Sequence, residues 1–313
     1  MSRIRVCFLG TPEIAVACLK AMINDEHFEI VGVVTQPDRP AGRKLQMTAS
    51  PVKSLAQANG LRVISPESVN QTMILQEIES WGAEVAVVVA FGQILSTTFL
   101  GLFPFGAVNV HASILPYWRG AAPIQRSLEA GETETGVTLQ KVVKKLDAGD
   151  ILGIRRLQVT DDMSAQDVYA QMGVLGADLL HLELMDYIRG NLVGIAQRQE
   201  LTTYAKKIDN AEARQQWTDP ARLLFNRTRA FVFGPGTWVP FRGKKLKLHG
   251  VRVVDQEYGV PPGHVAVVDR ERLVIQCGQG ALALLEVQPE SRSRMPIQEF
   301  LKSANLKVGD PFV

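Results

Sequence analysis

The chain has 313 residues, 46% hydrophobic and 21% charged, with a formal net charge of +2. That length exceeds what one compact core ordinarily holds and predicts two domains, while the composition excludes a disordered or fibrous chain. No apolar run reaches the roughly 18 to 20 residues that span a bilayer, and the apolar start is too short for a signal-peptide core, so a cytoplasmic protein without a membrane partner is expected.

In chain order, residues 3 to 9 read as a buried strand, and Gly10-Thr11-Pro12 opens a helix with Thr11 at its cap and Pro12 at its first position. Strands are expected at 29–34, 61–64, 84–90 and 107–111, and helices at 51–59, 72–81 and 121–129. The run Glu84-Val-Ala-Val-Val-Val-Ala90 is apolar from Val85 onward, as a central parallel strand must be when both its faces are covered. The alternation predicts an α/β fold with a doubly wound, mostly parallel sheet. Two β-rich runs, 136–143 and 151–159, look like antiparallel additions, and a long amphipathic helix over 165–189 is capped by Ser164 and followed by Gly190.

Residues 191–210 have no clear period and read as a linker between a catalytic domain over 1–190 and a smaller domain over 211–313. In the latter, a helix around 220–231 precedes short strands at 236–241, 245–254, 264–268, 272–277 and 281–287, broken by Gly and Pro. Close-spaced short strands predict a small β-barrel. Charge is divided in the same way: Lys206 to Val313 carry 17 Lys/Arg and 11 Asp/Glu, net +6, whereas residues 1–205 carry 17 and 21, net −4. A basic part of this kind suits a polyanion, although a solvated surface with uneven charge is equally compatible with composition alone.

Several chemistries are disfavoured. The first turn has one glycine where a dinucleotide fingerprint needs three, no Gly-rich loop ends in Lys-Ser or Lys-Thr, and no His/Cys cluster has metal spacing, so no metal is expected. The cysteines, Cys7, Cys18 and Cys277, are few and far apart and are read as packing residues.

Asn109 and His111 are two apart on a strand and therefore share one face at its C-terminal end, where open α/β sheets bind ligands. A loop rich in turn residues follows, and some thirty residues later comes Asp147-Ala-Gly-Asp150. Taken singly, Asn109 reads as a turn amide, His111 as a satisfied core histidine and Asp147 as a turn residue; their combination is more specific than its parts.

The sequence here resembles the methionyl-tRNA formyltransferases, within the larger group of enzymes that use 10-formyltetrahydrofolate. The likeness covers nearly the whole chain. It is carried by Phe8-Leu-Gly-Thr-Pro12, Thr35-Gln-Pro-Asp-Arg-Pro-Ala-Gly-Arg43, Asn109-Val-His111 with Ser113-Ile-Leu-Pro116, Trp118-Arg-Gly-Ala-Ala-Pro-Ile124, Glu134-Thr-Gly-Val-Thr138 and Asp147-Ala-Gly-Asp150. The resemblance implies Asn109, His111 and Asp147 as catalytic residues, acting through an oxyanion-bearing tetrahedral species. In it the amide and imidazole donate hydrogen bonds, while the carboxylate orients the ring and favours its protonated form. Asp150 is a supporting residue at most.

The same resemblance implies that 10-formyltetrahydrofolate is the co-substrate. It would lie against Ser113, Ile114, Leu115 and Pro116 and near the end of the strand over 85–92. The loop over 37–53 implies contact with the acceptor arm of initiator methionyl-tRNA through Arg39, Arg43 and Lys44. The C-terminal barrel, oligonucleotide-binding-like in the family, implies phosphate contacts from Lys244, Lys245 and Lys247. A monomer is expected. Transfer to a small amine, such as an amino-sugar nucleotide or glycinamide ribonucleotide, and a non-catalytic RNA-binding role remain as alternatives. The basic barrel speaks against the first and the intact Asn, His and Asp set against the second.

Overall fold

A computed structural model describes residues 3–41 and 46–313. The chain forms two compact units. The first comprises the residues up to Pro123, Glu134–Gln158 and Val168–Ala205; the second comprises Ile124–Thr133, Val159–Asp167 and Lys206–Val313.

Down to Ala205 the elements are β1 (Ile4–Gly10), α1 (Glu13–Ile23), β2 (Phe28–Val34), β3 (Arg39–Ala41), β4 (Gln46–Thr48), α2 (Pro51–Ala58), β5 (Val63–Ile64), α3 (Thr72–Ser80), β6 (Val85–Val89), α4 (Thr97–Leu100), β7 (Ala107–His111), β8 (Arg119–Gly120), α5 (Pro123–Ala130), β9 (Glu134–Lys141), β10 (Ile151–Gln158), α6 (Ala165–Ile188) and β11 (Tyr204–Ala205). Seven strands make the main sheet, in the order β10-β9-β7-β6-β1-β2-β5. The five from β7 to β5 run parallel; β9 adds antiparallel to β7, and β10 antiparallel to β9, as their turn-linked sequence predicts. All five residues of β6 are buried, which is why the strand is apolar on both faces. Cys7, Leu9, Val34, Ile78, Trp81, Val88, Phe99 and Phe103 pack together in one core cluster of this unit.

Local details differ from the sequence reading where a tertiary partner outbids a local one. Helix α1 starts at Glu13 with Pro12 at the cap position and no side-chain cap; the Thr11 hydroxyl instead donates to the Phe91 carbonyl at 3.3 Å. Ser164 and Asp167 do behave as a cap pair, the Ser164 amide and hydroxyl donating to Asp167 Oδ2 at 2.8 and 2.6 Å. The segment over 37–53, read from sequence as a loop, contains the paired strands β3 and β4 with Arg39 opposite Thr48. It ends at Ser50, whose Oγ accepts from the Lys53 amide at 3.0 Å and caps α2. Arg43 and Lys44 lie outside the described residues.

The second unit contains α7 (Ala221–Ala230), β12 (Thr237–Phe241), β13 (Lys244–Val254), β14 (Val265–Val268), β15 (Leu273–Gln276), β16 (Ala281–Pro289), β17 (Met295–Pro296) and α8 (Ile297–Ala304). Its antiparallel sheet has the order β12-β13-β16-β15-β14, with β17 on β16. Residues Arg242 and Gly243 both have positive φ, +51° and +74°, and join β12 to β13 in a two-residue turn that suits the twist of a hairpin. Inward-facing Leu246 and Leu248 alternate with exposed Lys245 and Lys247, and the core they enter includes Trp217, Leu224, Val239, Leu284, Phe300 and Phe312.

Candidate active site

Strand β7 ends between β6 and β9. Its Asn109 faces Val88 on one side and Gln140 on the other, and His111 faces Thr138. Asn109, His111, Gln140 and Thr138 therefore project from one face of two neighbouring strands. His111 is buried at 6% exposure, whereas Asn109 is half-buried and its side-chain amide makes no hydrogen bond among the described residues.

The His111 ring is held from both edges. Nε2 lies 3.0 Å from the Trp118 carbonyl oxygen, which can only accept, so Nε2 carries a proton. Nδ1 lies 3.7 Å from Asp147 Oδ1. The Asp147 carboxylate in turn accepts from the Gly120 amide through Oδ2 at 2.9 Å and from Gln140 Nε2 through Oδ1 at 3.1 Å. Both residues that flank the ring have left-handed backbone, Trp118 at φ +60° and Asp147 at φ +46°. Side chains other than glycine rarely adopt that conformation without support. For Trp118 the support includes its amide, which donates to Thr203 Oγ1 at 2.9 Å.

Two glycines let the backbones meet. A Cβ on Gly149 would stand 1.8 Å from the Lys141 carbonyl oxygen. At Gly120, φ is +120° and a Cβ would stand 2.8 Å from the Ala205 carbonyl oxygen. Neither clash is relieved by rotating a side chain, because the obstacle is backbone.

The loop after β7 is built on its own hydrogen bonds. Ser113 is fully buried and its hydroxyl donates to the Tyr117 carbonyl at 2.7 Å; Thr138 Oγ1 donates to the Ser113 carbonyl at 2.7 Å and accepts from the Leu115 amide at 3.1 Å. Leu115 is buried as well, while Ile114 and Pro116 are half-buried. What the loop offers a ligand is therefore Ile114, Pro116 and backbone, with Ser113 and Leu115 holding its shape.

Gln140 and Gln197 were not expected at this site. Gln140 is legible afterwards as a buried amide in a strand of otherwise apolar and small inward residues; Gln197, in a stretch without period, left no such mark. Of the basic residues, Arg39 belongs to the first unit and pairs with Glu67 at 2.8 Å, both largely exposed. Lys244, Lys245 and Lys247 are exposed on β13 in the second unit, where Lys245 Nζ and the Arg214 guanidinium stand 4.8 and 5.8 Å from the centre of the Trp238 ring. All three cysteines are buried; burial pushes the Cys18 and Cys277 thiols up to about 12 and Cys7 higher still, which leaves none as a nucleophile near neutral pH. Among the described residues no group of His, Cys, Asp and Glu could hold a metal ion, and no helix is long and apolar enough to cross a membrane.

The sequence and the fold have counterparts among known proteins. The formyl transferase family model matches residues 2–182, and the model for the formyl transferase C-terminal domain matches 207–305. A methionyl-tRNA formyltransferase from Bdellovibrio bacteriovorus is 58% identical over 314 residues, covering 99% of both chains. One from Symbiobacterium thermophilum is 39% identical over 311 residues, covering 99% of this chain and 95% of its own. The crystal structure of an N-formyltransferase from Helicobacter canadensis, in complex with folinic acid and dTDP-3-aminofucose, shares the fold at a TM-score of 0.66 and 18% identity, covering 91% of this chain and 99% of its own. The chain belongs to the formyl transferase family and, within it, to the methionyl-tRNA formyltransferases.

Proposed function

We propose that the chain transfers the formyl group of 10-formyltetrahydrofolate to the α-amino group of methionyl initiator tRNA, with Asn109, His111 and Asp147 at the reacting centre. The observation that carries this reading is the Asn109 amide. It stands at the mouth of the parallel sheet with no protein partner among the described residues, beside an imidazole whose proton positions are set by its neighbours. The residues fit a formyl donor: the Asn109 amide N–H can be aimed at an oxygen that gains negative charge, and the ring nitrogen on the Asp147 side can take up a proton. The folate supplies an activated formyl carbon.

Asn109 Nδ2 donates to the formyl oxygen as charge develops there, an interaction typically worth about 3 to 4 kcal/mol in a pre-organised site. His111 Nδ1, on the side of Asp147, takes the proton that the attacking amine must lose, and the carboxylate stabilises the imidazolium so formed. Gln140 and the Gly120 amide hold that carboxylate in place. As the tetrahedral species collapses, the bond between the formyl carbon and the folate nitrogen breaks and that nitrogen receives the proton from the imidazolium, leaving tetrahydrofolate; the nucleophile is the acceptor's own amine, so no covalent enzyme intermediate is required.

Residues 1–190 are read as the catalytic part and 211–313 as the tRNA-docking part, joined through 191–210. In the first, the Ser113–Pro116 loop would support the folate; Arg39, Arg43 and Lys44 would reach the acceptor arm. In the second, Lys244, Lys245 and Lys247 would meet phosphates, supported by their exposure along one strand. The protein would act as a monomer in the cytoplasm, where initiator tRNA is used. The deciding experiment is a formylation assay with charged initiator tRNA and 10-formyltetrahydrofolate beside a dTDP-amino sugar. Turnover of the tRNA alone is expected, and preference for the sugar would overturn the acceptor assignment.

A further inference from the structure

Arg119 is the largest fully buried side chain among the described residues. Its guanidinium has no carboxylate within ion-pair distance among the described residues; its partners are two amide oxygens, with Nε and Nη2 donating to Gln197 Oε1 at 3.1 and 2.6 Å and Nη1 donating to Gln199 Oε1 at 3.3 Å. A cation is costly to bury without a counter-charge, and packing alone would be served better by an apolar side chain. Something else in the fold must use the charge.

The hydrogen bonds show where it goes. Arginine can only donate, so the atom of Gln197 that faces it is Oε1, and Nε2 must face the other way. There it donates to the Asp147 carbonyl at 2.9 Å, to the Gly149 carbonyl at 2.7 Å and to Gln140 Oε1 at 3.3 Å. Gln140 is thereby oriented too, its Nε2 donating to Asp147 Oδ1 at 3.1 Å. Gln197 and Gln140 are buried, so water does not compete for these bonds. Each link presents its positive end toward the Asp147 carboxylate, and the loop it clamps carries Asp147 in a conformation that does not hold itself.

We infer that Arg119 and Gln197 are positioning residues for formyl transfer, the buried guanidinium acting through the Gln197 and Gln140 amides to hold the Asp147 carboxylate against His111. The inference rests on the reading of His111 and Asp147 given above. Neither Arg119 nor Gln197 touches the reacting atoms. Their contribution is to keep the loop from relaxing out of its left-handed turn and to keep the Asp147 carboxylate beside the ring as the ring gains a proton.

Gln197→Glu tests this most directly. It preserves size and the acceptor for Arg119 but removes every donor to the loop. Turnover is expected to fall on the order of 10- to 100-fold, with KM for folate and for tRNA little changed. Gln140→Leu, which removes the amide that donates to Asp147 Oδ1, should lower kcat in the same way with KM again little changed. Melting temperatures measured alongside separate positioning from packing. Wild-type turnover in Gln197→Glu would overturn the inference, as would a loss of activity that merely tracks loss of folded protein, or a rise in KM with kcat unchanged. If Gln197→Glu does not fold, wild-type kcat in Gln140→Leu decides against it equally. Asp147→Asn is the separating control: wild-type turnover there removes the underlying site assignment, whereas an inactive Asp147→Asn beside a normal Gln197→Glu removes the relay alone.

Discussion

The Nε2–H of His111 donates to the Trp118 carbonyl at 3.0 Å, which leaves Nδ1, on the Asp147 side, as the nitrogen free to exchange a proton. His111→Ala removes both that proton acceptor and one donor. Turnover should fall by at least about 100-fold, with tRNA affinity retained because the lysines of β13 are untouched. Single-turnover formylation beside a tRNA binding assay checks both halves.

Asn109→Ala should cost about 100- to 1,000-fold in kcat, the usual effect of deleting one oxyanion donor. Because the Asn109 amide has no side-chain partner among the described residues, the melting temperature should stay close to that of the wild type. Combined loss of activity and stability would mark Asn109 as a structural residue instead.

Gly149→Ala places a methyl group 1.8 Å from the Lys141 carbonyl. The Asp147 loop must then pull away from β9, breaking the bonds from Gln140 and the Gly120 amide. Thermal denaturation should show a lower melting temperature, and activity should fall further than the loss of folded protein explains.

Phe312 is fully buried near the C-terminus, its ring 4.6 Å from that of Phe241 and 6.0 Å from that of Trp217, while its carbonyl accepts from Trp217 Nε1 at 3.1 Å. Phe312→Ala should destabilise the second unit by about 3 to 5 kcal/mol, measurable by denaturant unfolding of the full chain.

The hydrogen bond from Arg126 is the chief reason the Glu212 carboxyl lies below the usual carboxylate range, outweighing burial. The folded-state pKa is the lower one, so the contribution to stability is complete above the unfolded value of roughly 4.3. It shrinks as pH falls below that value and vanishes beneath the folded value. Glu212→Gln should therefore melt earlier than the wild type near neutral pH, and the gap should close below about pH 4. A gap that persists in acid would mean that the pair is not the source.

Replacing Lys244, Lys245 and Lys247 by Ala should weaken tRNA binding and lower the slope of log K against log salt by about one unit for each lysine that meets phosphate. Catalysis at saturating tRNA should change little. An unchanged salt slope would take these lysines out of the interface.

Much of the architecture was legible because it obeys local periods. The apolar run of β6 and the placement of β7 over Ala107–His111 follow from side chains that must enter a covered sheet. The face shared by Asn109 and His111 follows from the two-residue repeat of any strand. The same rule exposes Lys245 and Lys247 while burying Leu246 and Leu248. Thr11 was the instructive miss: its hydroxyl fits a helix cap by residue type, yet it bonds to a carbonyl 80 residues away.

The residue types and spacing determined by themselves that this is an α/β protein with a basic second part, and that an amide and an imidazole stand together at a strand end. Only the tertiary structure decided that Asp147 faces Nδ1 rather than Nε2, that Ser113 and Leu115 serve the loop's own bonds, and that Gln197 ties a buried Arg119 to that loop. The reason is physical. Periodicity records how a residue relates to neighbours a few positions away, whereas a hydrogen bond between positions 119 and 197 leaves no local pattern and exists only once the strands have been laid side by side.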